Sequence, residues 1–285
     1  MNIPVKTLKN GFEMPVFGIG TWMMGGAMQR DENNDDLSDV NALQQAFKQG
    51  ITHIDTAEIY ANGHSEEIVA KALKGFKREN FFITTKVWKE HLQYDSVISA
   101  MKKSLERLET NYVDLYLIHA PFPGMNLKET MKAMNELVDQ GLTKHIGVSN
   151  FSIEQMKEAQ RYSTHPIVTN QIHYSLAHKD SYKENSLDDI VKYCQKNDIL
   201  VTAYRPVERG ILTTQDEPLM EKMYKKYNKT PSQIAINWLI SQDNIVTISK
   251  MRNSSHLKEN LEALNWSLDK EDIELLRKEF PNKVE

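Results

Sequence analysis

Cysteine is almost absent, with Cys194 the single example among 285 residues. That excludes an internal disulfide and a cysteine-based metal cluster, and it suits a reducing compartment. Cys194 itself falls in a helical apolar pattern and reads as a buried helix residue. Nor do 18 apolar residues run together anywhere, which is about the length a helix needs to cross a bilayer. The opening Met1-Asn-Ile-Pro-Val-Lys6 lacks the basic segment and apolar stretch of a signal peptide. The expectation is a soluble, cytoplasmic protein with no membrane partner. An excess of one charge is missing too: 35 Lys and Arg against 39 Asp and Glu leave −4. No basic block is long enough to suggest a nucleic-acid surface, so the expected partner is a small molecule. Low-complexity segments and interdomain linkers are also lacking, and residues 1–285 are read as one domain. Oligomeric state is left open, with a monomer the simplest expectation.

What is present is a regular alternation of two periodicities. Short runs flank Asn10-Gly11, the strongest local signal for a hairpin, placed here ahead of the main fold. Residues 16–21 form a short apolar strand, and residues 36–49 put Leu37, Val40, Leu43 and Phe47 at helical spacing, closed by Gly50. The pattern then repeats. Strands are expected at 51–55, 81–85, 113–118, 143–148, 167–172, 199–204 and 245–249, with helices at 65–73, 96–108, 127–139, 153–160, 187–196, about 230–240 and 254–264. Additional helices fall at 218–227 and 269–279. Thr230-Pro-Ser-Gln233 carries a capping box with proline at the first helical position.

Eight strands, each followed by a helix and each a short continuous apolar run, indicate a parallel sheet buried on both faces. The expected fold is α/β: a (β/α)8 TIM barrel with an N-terminal β-hairpin and a C-terminal extra helix, at a length close to the roughly 250 residues typical of that fold. An open doubly wound sheet fits less well. Gly18 and Gly20 begin a G-x-G-x-x-G pattern, but Met23 stands where its third glycine belongs.

In such a barrel the chemistry sits at the C-terminal strand ends. Strand two ends at Asp55 with Tyr60 in the loop beyond, strand three ends Ile83-Thr-Thr-Lys86, and strand four ends Leu117-Ile-His119. Taken singly, Lys86 is as often a solvated turn residue, His119 more often a structural histidine, and Asp55 often a cap. Neighbouring strand ends lie roughly 4.8 Å apart, so the four converge. A nearby ammonium favours a phenolate and is expected to lower the Tyr60 pKa from its ordinary value of about 10; an aspartate holds the lysine charged. A neutral histidine beside them can hydrogen-bond a carbonyl. The set suits proton transfer to a carbonyl oxygen but contains no Ser-His or Cys-His nucleophile. A hydride from a nicotinamide would attack the carbon.

These residues resemble the aldo-keto reductase family over nearly the whole chain. The resemblance is carried by Gly50-Ile-Thr-His-Ile-Asp-Thr-Ala-Glu-Ile-Tyr60, Ile83-Thr-Thr-Lys86, Asp114-Leu-Tyr-Leu-Ile-His119, Ile146-Gly-Val-Ser-Asn-Phe151, Asn170-Gln171 and Ala203-Tyr204. It implies a catalytic tetrad of Asp55, Tyr60, Lys86 and His119, with Tyr60 as general acid in reduction and base in oxidation. It further implies that Ser149, Asn150 and Gln171 hold a nicotinamide carboxamide, that Tyr204 stacks on the ring, and that Thr21 approaches it. Ser149-Asn150 can also serve as a helix entry, and Tyr204 as core. Lys250 would face a 2′-phosphate with help from Arg252, while Glu259 and Asn260 take the adenosine end, so NADPH is expected over NADH.

Some positions depart from the family pattern. Arg205 replaces a serine after the stacking tyrosine, so a guanidinium would meet the pyrophosphate. Met251 and His256 stand where a serine and an arginine are usual, which weakens the expected NADP preference. Ala120 replaces a tryptophan, leaving Trp22, Trp88 and Phe122, beside His119, as substrate walls. The residues after the last helix are too few for the long C-terminal loop that narrows the pocket in some members. The leading expectation is NADPH-dependent reduction of an aldehyde or ketone, reversible as NADP-dependent alcohol oxidation. The alternatives are a nicotinamide-binding regulatory subunit with little turnover, and an unrelated barrel lyase or isomerase using Lys86 as a Schiff-base amine.

Overall fold

A computed structural model describes residues 2–179, 181–182, 185–214 and 217–283. The chain begins with an antiparallel hairpin of β1 (Val5–Thr7) and β2 (Glu13–Pro15), with Lys6 opposite Met14. Its turn is made where Asn10-Gly11 requires it: Gly11 has φ 86°, and its N–H donates to the Leu8 carbonyl at 3.0 Å. The alternation then follows as β3 (Phe17–Gly20), α1 (Asp36–Lys48), β4 (His53–Asp55), α2 (His64–Leu73), β5 (Phe82–Val87), α3 (Tyr94–Arg107), β6 (Val113–Ile118) and α4 (Leu127–Asp139). Next come β7 (Thr143–Ser149), α5 (Ile153–Tyr162), β8 (Ile167–His173), the two-residue strands β9 (Ser181–Tyr182) and β10 (Asn185–Ser186), α6 (Leu187–Lys196) and β11 (Leu200–Tyr204). The last elements are α7 (Pro218–Tyr227), α8 (Pro231–Ile240), β12 (Ile245–Ser249), α9 (Ser254–Leu261) and α10 (Lys270–Glu279).

Strands β3 to β8, β11 and β12 close into a parallel barrel of eight, while β9 and β10 pair only with each other. The expected (β/α)8 fold with its N-terminal hairpin is therefore the observed one. Alternation along each strand separates two apolar compartments. On β6, Tyr116 and Ile118 face the surrounding helices, whereas Leu115 and Leu117 face inward with Val168, Leu200 and Val246. Leu8, Phe12 and Met14 of the hairpin pack into that inner set. The hairpin thus stoppers the N-terminal end of the barrel, leaving the C-terminal mouth for chemistry.

Helix starts follow local chemistry. Ser152 with Gln155 and Thr230 with Gln233 both form complete capping boxes, and Pro231 opens α8. Asp35 caps α1 through the Ser38 N–H at 3.0 Å. Three local features differ from the sequence expectation. Strand β5 runs on to Val87 instead of ending at Lys86, because Lys86 points inward and finds partners within the barrel. Residues 60–63 form a tight turn with Ala61 and Asn62 at φ 50° and 53°. Helix α9 stops at Leu261 and a tight turn covers 262–264. Among the described residues no helix is long and apolar enough to cross a membrane.

Candidate active site

Three adjacent strands, β4, β5 and β6, deliver the tetrad to one place, beside β3. Gly20 of β3 pairs with Asp55 of β4, Asp55 with Thr84 of β5, and Lys86 with Leu117 of β6. Lys86 is wholly buried, a costly position for an ammonium unless its three donors are used. They are used: its Nζ donates to Asp55 Oδ1 at 2.7 Å, to the Thr56 carbonyl at 2.7 Å and to the Tyr60 hydroxyl at 3.4 Å. The second Asp55 oxygen accepts from Gln171 Nε2 at 2.7 Å. Asp55 therefore positions Lys86 on one side and a β8 amide on the other.

The electrostatics correct one expectation. Burial pushes the Tyr60 phenol up, and although Lys86 pulls it down, Asp55 pushes up again, so its pKa lies above the ordinary value rather than below it. Burial works against the Lys86 charge, but Asp55 and Tyr60 outweigh it and raise its pKa. Tyr60 is thus protonated at neutral pH beside a permanent cation. Because Lys86 donates to the phenol oxygen, the phenol hydrogen is left to point elsewhere.

His119 completes the group. Burial and then the Lys86 charge hold its pKa well below the usual histidine value, so the imidazole is neutral. Its Nδ1 is buried with no hydrogen-bond partner among the described residues. A lone pair without a donor is cheaper than an N–H without an acceptor, which assigns the ring hydrogen to Nε2. The His119 and Tyr60 rings meet edge-on at 5.6 Å. Trp22 meets Tyr60 edge-on at 5.0 Å, and Trp88 meets His119 edge-on at 5.1 Å. Phe122, 46% exposed, stands on the same rim.

The other expected residues fall into two groups. Near the tetrad, Thr21 is buried, its N–H bonded to the Asp55 carbonyl at 2.9 Å and its hydroxyl accepting from Ser65 Oγ at 2.9 Å. Ser149 Oγ donates to the Gln171 carbonyl at 2.9 Å, Asn150 sits at φ 61° with its amide on the Ser149 hydroxyl at 3.0 Å, and Tyr204 donates to Asn150 Oδ1 at 3.1 Å. The Tyr204 ring stacks on His173 at 5.3 Å and 14°, and Arg205, exposed at φ 60°, reaches over the same ring.

Further along the mouth, Lys250 and His256 are exposed and Met251 and Asn260 are buried. Burial, Arg252 and Arg209 pull the Lys250 pKa down, with Asp39 opposing. Arg252 is already engaged, its Nε 2.5 Å from Asp39 Oδ1 and its Nη2 donating to Asp39 Oδ2 at 2.9 Å and the Met23 carbonyl at 2.6 Å. Glu259 accepts from Thr230 Oγ1 at 2.6 Å.

Sequence reasoning missed several positioning groups. Glu58, inside the Asp55–Tyr60 stretch, accepts from the Trp88 N–H at 2.6 Å and pairs with His91 Nδ1 at 3.0 Å. His173, held by Glu208 at 2.9 Å, lies two residues beyond Gln171 on β8, and strand alternation was the signal that could have found it. Asp39 was hidden, because its guanidinium partner lies on the far side of the sequence.

A closed parallel eight-stranded barrel that gathers a buried lysine, a phenol, a carboxylate and a neutral imidazole at its C-terminal mouth is of the (β/α)8 class. Within that class the chain belongs to the aldo/keto reductase family, whose sequence model matches residues 16–279. It is similar to the thermostable aldo-keto reductase Tm1743, solved with the inhibitor epalrestat, with 41% identity and a TM-score of 0.90 over 96% of this chain and 99% of that one. It is 34% identical to an aldo-keto reductase of the silkworm Bombyx mori solved with NADPH, with a TM-score of 0.86 over 100% of this chain and 89% of that one. Glyoxal reductase of Bacillus subtilis (strain 168) shares 33% identity over 94% of this chain and 89% of its own length.

Proposed function

We propose that this protein reduces an aldehyde or ketone to an alcohol with NADPH, and runs in reverse on alcohols when NADP is abundant. The observation that carries this reading is the buried Lys86 ammonium with its three donors on Asp55, Thr56 and Tyr60. No part of that arrangement is needed for a solvated lysine. Tyr60 gives its proton to the carbonyl oxygen, Lys86 stabilises the phenolate left behind, and neutral His119 donates from Nε2 to the same oxygen. Asp55 keeps Lys86 charged and in place. Trp22, Trp88 and Phe122 exclude water around the carbonyl.

The donor set suits a nicotinamide cofactor. A flat ring at Tyr204, with the hydroxyl and amides of Ser149, Asn150 and Gln171 beside it, matches a planar ring bearing a carboxamide. Thr21 borders the same space. Arg205 matches a pyrophosphate, and Lys250, its pKa lowered by burial and then by Arg252 and Arg209, gains from an anion such as a 2′-phosphate. In this reading Lys250 is the chief phosphate contact, with Arg252 secondary because Asp39 already holds it. Met251, His256, Glu259 and Asn260 border the adenosine end. When bound, the cofactor supplies the hydride. The NADPH-bound silkworm neighbour and the glyoxal reductase relative support the same cofactor and a small carbonyl.

The test follows reduced-nicotinamide absorbance across a carbonyl panel with NADPH and NADH side by side. Wild type should turn over several carbonyls, faster with NADPH, and Tyr60→Phe should lose at least about a hundredfold in kcat. Equal rates for wild type and Tyr60→Phe would sink the proposal.

A further inference from the structure

The ring offered to a nicotinamide has a plane that its own hydroxyl does not fix. Tyr204 donates to Asn150 Oδ1 at 3.1 Å. A para hydroxyl lies on the axis about which the ring turns, however, and that torsion is broad for an aromatic side chain. The missing restraint comes from the neighbouring strand. His173 of β8 is in register with Tyr204 of β11, and its imidazole stacks on the phenol ring at 5.3 Å and 14°. His178 stacks on the same imidazole at 4.0 Å and 28°.

An imidazole turns about a broad torsion too, and a buried carboxylate holds this one. Glu208, 3% exposed, accepts from His173 Nε2 with both oxygens, at 2.9 and 3.0 Å, and from the Ser175 hydroxyl. A carboxylate can only accept, so Nε2 carries the hydrogen. Among the described residues His173 is the only group at ion-pair distance from Glu208. The backbone is bent to deliver the carboxylate: Glu208 and Arg209 sit at φ 46° and 53°, left-handed conformations that cost free energy in residues other than glycine. Desolvating the carboxylate and straining the chain are both unfavourable, and what they secure is the direction of Nε2.

We propose that Glu208 and His173 are positioning residues for the cofactor: the carboxylate fixes the imidazole, the imidazole fixes the plane of Tyr204, and the phenol face away from His173 receives the nicotinamide. This rests on the cofactor reading above and adds two residues outside the tetrad and the carboxamide set. A plane set beforehand spares the ordering entropy that a freely turning ring would lose on binding.

The experiment measures binding, by quenching of protein fluorescence, of NADPH and of adenosine 2′,5′-bisphosphate, which has the phosphate end but no nicotinamide. Glu208→Leu should weaken NADPH about tenfold, the upper end of what an aromatic stack contributes, and leave the bisphosphate within about twofold. Glu208→Gln, whose amide oxygen still accepts from Nε2, should stay within about threefold of wild type for NADPH. Adding His173→Phe to Glu208→Leu supplies a ring that needs no acceptor and should recover most of the lost NADPH affinity. Equal weakening of both compounds in Glu208→Leu, weakening of neither, or no recovery in the double variant overturns the assignment while leaving the cofactor reading intact. Tighter NADPH binding in Glu208→Leu overturns it as well, since the imidazole would then obstruct the ring. A wild type that binds neither compound overturns both.

Discussion

A proton donor that is too acidic would already have lost its proton, and one that is too weak would hold it through the reaction. Under the proposed chemistry Tyr60 meets this by being protonated at rest, its pKa raised by burial, while the ammonium that would stabilise its conjugate base waits 3.4 Å away. The stabilisation therefore grows as charge develops on the phenol, which is what lowers a barrier. Asp55 is the control on this arrangement. Asp55→Asn should cut kcat about 10- to 100-fold while NADPH affinity, read by quenching of protein fluorescence, changes less than about threefold. Abolished cofactor binding would instead make Asp55 part of the cofactor site. The convergence of Asp55, Tyr60, Lys86 and His119 was legible because each closes or follows an apolar strand. The direction of the Tyr60 shift was not, because it depends on how much burial surrounds a phenol, and a sequence does not state that. The bond from Gln171 to Asp55 was equally hidden, since it joins opposite walls of a closed barrel.

Elements with strong local chemistry were readable, and those fixed by distant contacts were not. The capping boxes at Ser152 and Thr230 place α5 and α8 from a few residues each. Strand β5 outran its expected end because Lys86, a residue that usually breaks an apolar run, is satisfied inside the barrel. The turn at 60–63 was not foreseen because its two left-handed residues are an alanine and an asparagine. Gly63 closes it under a real constraint: a Cβ there would come 2.6 Å from Arg107 Nε, which is bonded to buried Glu66 at 2.6 Å. At this scale the Asp39–Arg252 pair also has a role, tying α1 and the loop after β3 to the loop between β12 and α9. Asp39 is 1% exposed, so losing its charge strands a bonded network, but Arg252 remains partly in water. Asp39→Asn should therefore cost about 1–3 kcal/mol in urea unfolding. A double mutant with Arg252→Ala should be markedly less destabilised than the sum of the singles; simple additivity would show that the pair is not coupled.

Across the whole molecule, eight repeats of one pattern made the barrel legible, whereas its interior polar layer was not. His53 lies in that interior, fully buried, with its Nε2 on Thr84 Oγ1 at 3.2 Å and its pKa lowered from 6.5 to about 4, chiefly by burial. A histidine depressed in the folded state takes up its proton more readily when unfolded. Its contribution is thus intact above about pH 6.5 and lost as pH falls towards 4. At about 1.4 kcal/mol per pH unit, that window is worth on the order of 3 kcal/mol. Neutral His119 adds loss of the same sign. Urea unfolding at pH 7 and pH 4.5 should show this fall, and His53→Gln, which cannot titrate, should flatten it; an equal slope in both proteins would assign the acid sensitivity elsewhere.

The hairpin packed into the inner barrel gives the molecule one open end. Leu8, Phe12 and Met14 cap a barrel whose interior Leu115, Leu117, Val168, Leu200 and Val246 already fill, so whatever enters the mouth must leave by the way it came. Two reactants sharing one doorway form a queue. Under the proposed chemistry, the partner lying deeper against Tyr204 and Gln171 arrives first and departs last, and the carbonyl seated above it on the aromatic rim exchanges while it stays. Traffic order is then set at the C-terminal mouth, the one face that a filled and capped barrel leaves to both reactants.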